Sequence, residues 1–234
     1  MKSKNMSLIT SEERSFLFKE CSFFQGLPGK LISDLIAISN IITFPKDGFV
    51  TRIGDFSRDF ILVVSGLLRV NACSSSGKQI TFLLVKPGEP YNMLSPYMTT
   101  PRFFEAVATE KTRCLWIKGK DFVTFVEEHP LIAAKMLKAV GNALDSANSR
   151  ILDLMEKNVE KRIMRVLSTL HGKFGSPLLF TSREIADIAG TTTESVLRSM
   201  ANLRDMNVIR SQRGKIWIEN PKVLTDAEFG DMLI

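Results

Sequence analysis

Histidine is scarce in this chain of 234 residues: there are two, His129 and His171, and none between Ile41 and Ile117. A metal site of imidazole and carboxylate ligands cannot be assembled on that stretch, which leaves a metal-dependent enzyme of the cupin sort without its ligands. Cysteine is nearly as rare. Cys21, Cys73 and Cys114 lie far apart, with no C-x-x-C pair and an odd total, so reduced thiols are expected rather than a disulfide framework. Long apolar runs are missing as well. The start, MKSKNMSLITSEERSFLF, lacks the apolar core of a signal peptide, and no later window reaches the roughly 18 uninterrupted apolar residues of a membrane span. A soluble, cytoplasmic protein with no membrane partner is the expectation. Nor is there a basic block. The net charge of +6 favours a polyanionic partner, yet it is dispersed: between Arg183 and Lys215 six basic residues face four acidic ones. Any polyanion-binding surface must therefore come from geometry.

What is present divides into three textures. Glu12 to Ile38 holds two short amphipathic segments parted by Gly26-Leu27-Pro28-Gly29. From Ile41 to Ile117 short apolar or alternating runs (IITF, DFILVV, LLRVNA, QITFLLV, EAVA, RCLWI) are punctuated by Gly48, Gly54, Gly66, Gly77 and Gly88. Short strands at about ten-residue spacing predict an antiparallel sandwich or barrel. A helical stretch begins near Lys120 and, after Pro130, continues as one long helix to about Lys157. Its apolar residues Ile132, Met136, Ala139, Val140, Ala143, Ala147, Ile151, Leu154 and Met155 recur at three- and four-residue steps, too long a stripe for one small barrel to cover. A second copy of the same helix is the economical partner, with Ala143 and Ala147 permitting close approach. The alternative is that the helix lies across its own barrel.

After Asn158 comes EKRIMRVLSTLHGKFG, a helix expected to stop at Gly172 and Gly175. Next is TSREIADIAGTTTESVLRSMANLRDMNVI, from Thr181 to Ile209. Ile185, Ala186, Ile188 and Ala189 mark one helix, Gly190 breaks it, and Val196, Leu197, Met200 and Leu203 mark a second. Thr181 with Glu184, and Thr191 with Glu194, have the capping-box spacing. Val196, Met200 and Leu203 can pack inward while Thr193, Glu194, Ser195 and Arg198 project outward. This is the pattern of a helix-turn-helix, whose second helix lies in the DNA major groove. Two helices around a glycine turn also occur in proteins that bind nothing. The ending VIRSQRGKIWIENP predicts a β-hairpin that turns at Gln212 to Gly214, placing Arg213 and Lys215 at a wing tip suited to phosphates.

The order of parts resembles the family of the cAMP receptor protein and the fumarate and nitrate reduction regulator (CRP/FNR), over about Phe24 to Leu224. Its most specific pieces are VVSGLLRV with SGKQITFLLVKPGE, and EIADIAGTTTESVLRSMANLRDMNVI. The resemblance implies an α+β chain of three parts: an N-terminal antiparallel β-roll of the cyclic-nucleotide-binding, jelly-roll type with its leading helices (1–128), a dimerisation helix (129–157) and a winged helix-turn-helix (158–234). It further implies a sensory transcription regulator, not an enzyme, that binds an inverted-repeat promoter site on double-stranded DNA as a homodimer and recruits or blocks RNA polymerase. The family's recognition helix carries Glu, then Ser or Thr, then Val or Ile, any residue, and Arg; here these are Glu194, Ser195, Val196, Leu197 and Arg198. Arg198 can bond guanine O6 and N7, and Glu194, one turn away, can accept from a cytosine or adenine amino group. The same two residues could instead form only a surface ion pair. Thr193 stands where members like the cAMP receptor protein carry an arginine, so a TGA-like core is expected with the flanking base open. Ser182, Arg183, Thr192, Thr193, Glu194, Ser195, Arg198, Arg213 and Lys215 form the expected DNA-binding set.

The sensory end departs from the family. Cyclic-nucleotide-binding relatives use a Gly-Glu pair for the ribose and an Arg-Ser pair for the phosphate. In GEPYNMLSPYMTTPRFFEAVA, Asn92 and Met93 fall where Gly-Glu should be, and Arg102 is followed by Phe103. A ligand other than cAMP is expected. Relatives with an iron–sulfur cluster need four thiolates, which three scattered cysteines cannot supply; no metal or other cofactor is expected. Both histidines read as surface or capping residues. An unidentified small-molecule effector, apolar or an aromatic anion, would then meet Tyr91, Asn92, Met93, Arg102, Phe103, Ala147 and Asn148, with Phe104 nearby, although the same side chains could simply fill the roll. Ligand in the roll would act through a hinge near Asn158. Two alternatives stay open: a cupin-like β-roll enzyme with an accessory DNA-binding module, and a regulator that needs no ligand.

Overall fold

The computed structural model describes residues 6–73 and 79–225; Gly77 and the first residues of SGKQITFLLVKPGE lie outside them. The architecture is α+β, with two antiparallel sheets, a long helix and a helix-turn-helix carrying a two-stranded wing. The chain forms two compact units. The first runs to Ala143, the second from Leu144 onward, and Gln79–Thr81 assorts with the second.

In the first unit, α1 (Ser11–Lys19) starts at Thr10, which forms a complete capping box with Glu13. α2 is Gly29–Ala37, and the strands are β1 (Met6–Ser7), β2 (Asn40–Phe44), β3 (Phe49–Thr51), β4 (Phe60–Ser65), β5 (Leu68–Cys73), β6 (Gln79–Val85, of which residues 82–85 belong to this unit), β7 (Pro90–Tyr91), β8 (Glu105–Ala108) and β9 (Thr112–Ile117). They form a five-stranded sheet, β1-β2-β9-β4-β7, and a four-stranded sheet, β3-β8-β5-β6. The strand β4 shows why its sequence is an unbroken apolar run. Phe60, Leu62 and Val64 face the leading helices, while Ile61 and Val63 face the layer between the sheets. With a side-chain period of two, both faces of the strand need apolar residues. β9 does the same with Leu115 and Ile117 on one side and Cys114 and Trp116 on the other. Between β4 and β5, Gly66 adopts φ 85°, and a Cβ there would come within 2.7 Å of the Thr112 Cα, so only glycine makes that turn.

α3 (Gly119–Glu128) is joined to the roll through Asp59, which accepts from the Gly119 amide at 3.1 Å and from the Trp116 indole at 2.7 Å. The Phe60 and Phe122 rings stack at 4.2 Å. α4 (Pro130–Met155) is a single helix of 26 residues. The apolar stripe expected along it is two stripes. Ile132 and Met136 are buried in the core of their own unit, against the leading helices and α3. A second stripe is left uncovered in the single chain, with Leu137 74% exposed, Leu144 60%, Ile151 57% and Leu154 44%. Leu137, Leu144 and Ile151 are seven residues apart, and Val140, Ala147 and Leu154 alternate with them, which is a heptad seam.

The second unit contains α5 (Val159–Phe174), α6 (Ser182–Ala189), α7 (Thr193–Asp205), β10 (Ile209–Gln212), β11 (Lys215–Ile218) and α8 (Pro221–Thr225). Its core is built from Ile163, Leu167, Leu170, Ile185, Val196, Leu203, Ile216 and Leu224, all buried. α5 runs through Gly172 and ends at Gly175, whose φ is 75° and whose amide bonds to His171 O at 2.8 Å. A glycine inside a helix costs only about 1 kcal/mol, which burial of Leu167 and Leu170 outweighs. His171 is thus inside the helix, while His129 is the C-cap of α3 with its ring 4.5 Å from Phe125.

The bend at Asn158 is not loose. Asn158 caps α5 by accepting from the Glu160 and Lys161 amides at 2.9 and 3.2 Å. Arg162 donates to Glu156 O at 2.6 Å and to Ala189 O at 3.3 Å, and the buried Arg165 pairs with Asp153 at 2.9 Å. The last turn of α4 is thereby fastened to α5 and to the end of α6. Among the described residues no helix is long and apolar enough to cross a membrane.

Candidate nucleic-acid interface

α6 is capped as its sequence dictates: Thr181 accepts from the Glu184 amide at 3.2 Å, and Glu184 accepts from the Thr181 amide at 2.8 Å. It ends at Gly190 in the left-handed region, φ 62°. The second capping pair differs from expectation. The Thr191 amide bonds back to Ala186 O at 3.0 Å, closing α6, so Thr191 is spent on the first helix. Thr192 caps α7 instead, accepting from the Ser195 amide at 3.2 Å with its hydroxyl 2.9 Å from that of Ser195, and α7 has no Glu194 box. Glu194 is left free to face outward.

One face of α7 is buried through Val196, Ser199, Met200 and Leu203. The opposite face carries Thr193, Glu194, Leu197 and Arg198, all exposed. Arg198 donates to Glu194 at 3.2 Å, and the two side chains remain 75% and 83% exposed. An exposed pair of this kind contributes only a few tenths of a kcal/mol to the helix, so it opens at little cost when a better partner arrives. Leu197, 55% exposed beside Arg198, is an apolar residue that the outward set did not include; its place three residues after Glu194, on the same helix face, was the available signal. Ser182 is the first residue of α6, with exposed Arg183 after it. The wing pairs Gln212 with Lys215, leaving a two-residue turn of Arg213 and Gly214 whose glycine has φ 73°. Arg213 and Lys215 are exposed there. Arg210 stiffens the wing, lying 4.0 Å over the Trp217 ring and bonding Glu219 at 3.1 Å.

In the roll, the structure brings together three of the seven residues expected to meet an effector. Tyr91 is buried with its hydroxyl 2.8 Å from that of Thr51, and the Arg102 guanidinium lies 5.8 Å from its ring. Arg102 donates to Ser57 O at 2.8 Å and to the Ser95 hydroxyl, which in turn bonds the Asn92 side chain. Asn92 has φ 74° and donates to Asp59 O at 3.0 Å. Burial pushes the Tyr91 phenol up and pulls Arg102 below an ordinary arginine. Of the others in this unit, Met93 packs against the core that contains Phe24 and Phe122, and Phe103 is 72% exposed; Ala147 and Asn148 belong to the second unit, both exposed on α4. Ser95 is the residue that sequence reasoning missed. It supplies a hydroxyl beside Arg102, which sequence reasoning counts as lost because Phe103 stands at the next position along the chain.

Two family models match: the Crp-like helix-turn-helix domain over residues 161–227 and the cyclic nucleotide-binding domain over residues 41–129. The chain belongs to the CRP/FNR family. It is accordingly a DNA-binding transcription regulator of the CRP/FNR type. Among its relatives is the cyclic AMP receptor protein of Thermus thermophilus, 25% identical over 213 residues that span 91% of this chain and 99% of the relative. The global nitrogen regulator of Synechocystis is 24% identical over 193 residues, 78% of this chain and 86% of that one. The structure of FixK2 from Bradyrhizobium japonicum superimposes with a TM-score of 0.74 at 18% identity, covering 83% of this chain and 99% of that chain, a likeness of fold. Other relatives carry the names of a global transcriptional regulator and of a global nitrogen regulator.

Proposed function

We propose that the chain acts in the cytoplasm, without catalytic activity, as a homodimer that reads an inverted-repeat promoter site. Residues 129–157 form the dimer helix in this reading, with residues 158–234 as the DNA-binding part and residues 1–128 as the sensory part. The observation that carries it is the outward face of α7, where Glu194 and Arg198 are exposed, paired to each other and backed by a buried apolar face. Arg198 reads guanine of a TGA-like core and Glu194 accepts from an amino group of the neighbouring pair. Ser182, Arg183, Thr192, Thr193, Ser195, Arg213 and Lys215 fix the register through phosphates or flanking bases. The heptad seam of α4 supplies the second copy, and the bound dimer presents itself to RNA polymerase.

Footprinting on the promoter beside its own gene, with wild type and Arg198→Ala, tests the reading. A good bidentate contact is worth about 1–3 kcal/mol, so the variant should lose roughly 5- to 150-fold in specific affinity per half-site and keep its non-specific binding. Unchanged specific binding of the variant would sink it.

The effector is a small anion other than cAMP that draws Arg102 away from Ser57 and Ser95. Met93 supports the exclusion of cAMP, since it occupies a core position where the family resemblance asks for a ribose-binding glutamate. A shift of the melting curve with cAMP would overturn that part. The internal partners of Arg102 also favour a second reading, a regulator whose roll is closed on itself and needs no ligand. DNA affinity that is unaffected by host metabolites would select it.

A further inference from the structure

A cleft of about 340 Å³ lies in the second unit between the start of α6, the wing and the flank of α7. Leu197, Phe180 and Ile216 give it an apolar floor, while Arg204 and Arg213 stand on it and, among the described residues, no carboxylate lines it. Arg204 is the penultimate residue of α7, three positions beyond Ala201 and seven beyond Leu197, so it shares the cleft side of the helix with Leu197 and Met200. It is exposed, and Nη1 donates to the Ser211 hydroxyl at 3.0 Å, which ties it to the wing strand two residues before the tip. A neutral hydroxyl orients a guanidinium without cancelling its charge.

We infer that this cleft seats a stretch of the sugar–phosphate backbone beside the groove that α7 enters, and that Arg204, oriented by Ser211, is one of its phosphate contacts. The inference rests on the DNA-binding reading above and extends it to a residue outside the expected set. The charge argues for this occupant: two guanidinium groups facing an apolar floor complement a chain of anionic phosphates joined by largely apolar sugars. A recognition helix in the major groove has a phosphate strand on either side, and the wing residues Gln212, Arg213 and Gly214 line the cleft together with Arg204. Arg204 therefore contributes affinity and salt dependence but no base preference.

The test compares wild type, Arg204→Gln, Arg204→Lys and Ser211→Ala on a duplex carrying the footprinted site and on a scrambled duplex, each over a series of salt concentrations. Arg204→Gln should weaken both duplexes by the same factor and reduce the slope of log K against log salt by about 0.9 per half-site. Arg204→Lys should restore the slope, and Ser211→Ala should lower affinity modestly with the slope intact. An unchanged slope in Arg204→Gln, or a loss confined to the specific duplex, would overturn the inference while leaving Arg198 as the reading residue. Absence of binding by wild type to either duplex would overturn the DNA-binding reading and this one with it.

Discussion

Replacing Leu144 with alanine is expected to weaken self-association of the chain by roughly 60-fold. The side chain is 60% exposed in the single chain and sits at the centre of the stripe formed with Leu137 and Ile151. Removing its outer carbons from a buried seam forfeits about 2 kcal/mol. Only the part that is exposed before pairing counts towards association, and a symmetric dimer loses it twice, which comes to about 2.5 kcal/mol and, at 1.4 kcal/mol per tenfold, to that factor. Sedimentation velocity over a concentration series measures it directly. Leu179→Ala is the control, a leucine 67% exposed that is not on α4. Identical dissociation constants for wild type and Leu144→Ala, or an equal loss from Leu179→Ala, would refute the assignment of the seam.

Asp153→Asn removes the carboxylate bonded to the buried Arg165, and since Asp153 is itself partly exposed the cost should be about 2 kcal/mol, seen as an earlier urea midpoint. Burial pulls the Glu13 carboxyl up, but bonds from Arg113 and from Thr10 outweigh it and hold the group below its ordinary 4.5. A carboxylate lowered in the folded state stabilises above its unfolded value and loses that stabilisation as pH falls through the folded one. Glu13→Gln should therefore be less stable than wild type by about 1 kcal/mol at neutral pH, with the gap closing in acid below about pH 4. Of the three cysteines, Cys73 is exposed, Cys21 is buried with its thiol pushed up, and burial pushes Cys114 up to about 12. A thiol reagent at neutral pH should label one group quickly in the folded protein and three in denaturant.

Six strands of the roll, the long helix and the winged helix-turn-helix were readable because each rests on a local rule: β4 and β9 on apolar runs, α6 on the Thr181–Glu184 box, the wing on Arg213-Gly214; β1, β3 and β7, of two or three residues, are too short to carry such a run. The errors arose where one local pattern admits two registers. Three consecutive threonines offer two caps, and the choice falls to Thr192 because Thr191 closes the helix before it. Gly172 and Gly175 are both legitimate helix stops, and packing of α5 decides for the second. Along α4 the residues Ile132 and Met136 look periodic with Ala139 and Ala143, yet they serve the core of their own unit, and Leu137 and Leu144 form the uncovered seam. Nothing local separates the two stripes. In the roll, Ser95 reaches Arg102 from seven residues away through a turn stabilised by Asn92, a proximity that only the fold creates. On α7, by contrast, the outward positions follow from helical spacing alone, and Glu194 and Arg198 were legible without any tertiary information.

The uncovered seam on α4 also sets how a promoter would sense the abundance of this protein. Each chain carries one α7, and an inverted repeat takes two. In the proposed dimer, when chains are scarcer than the dissociation constant of the seam, halving their number leaves about a quarter of the dimers. Occupancy of the promoter then follows the square of gene expression, and a small change in synthesis or turnover becomes a steep change in output.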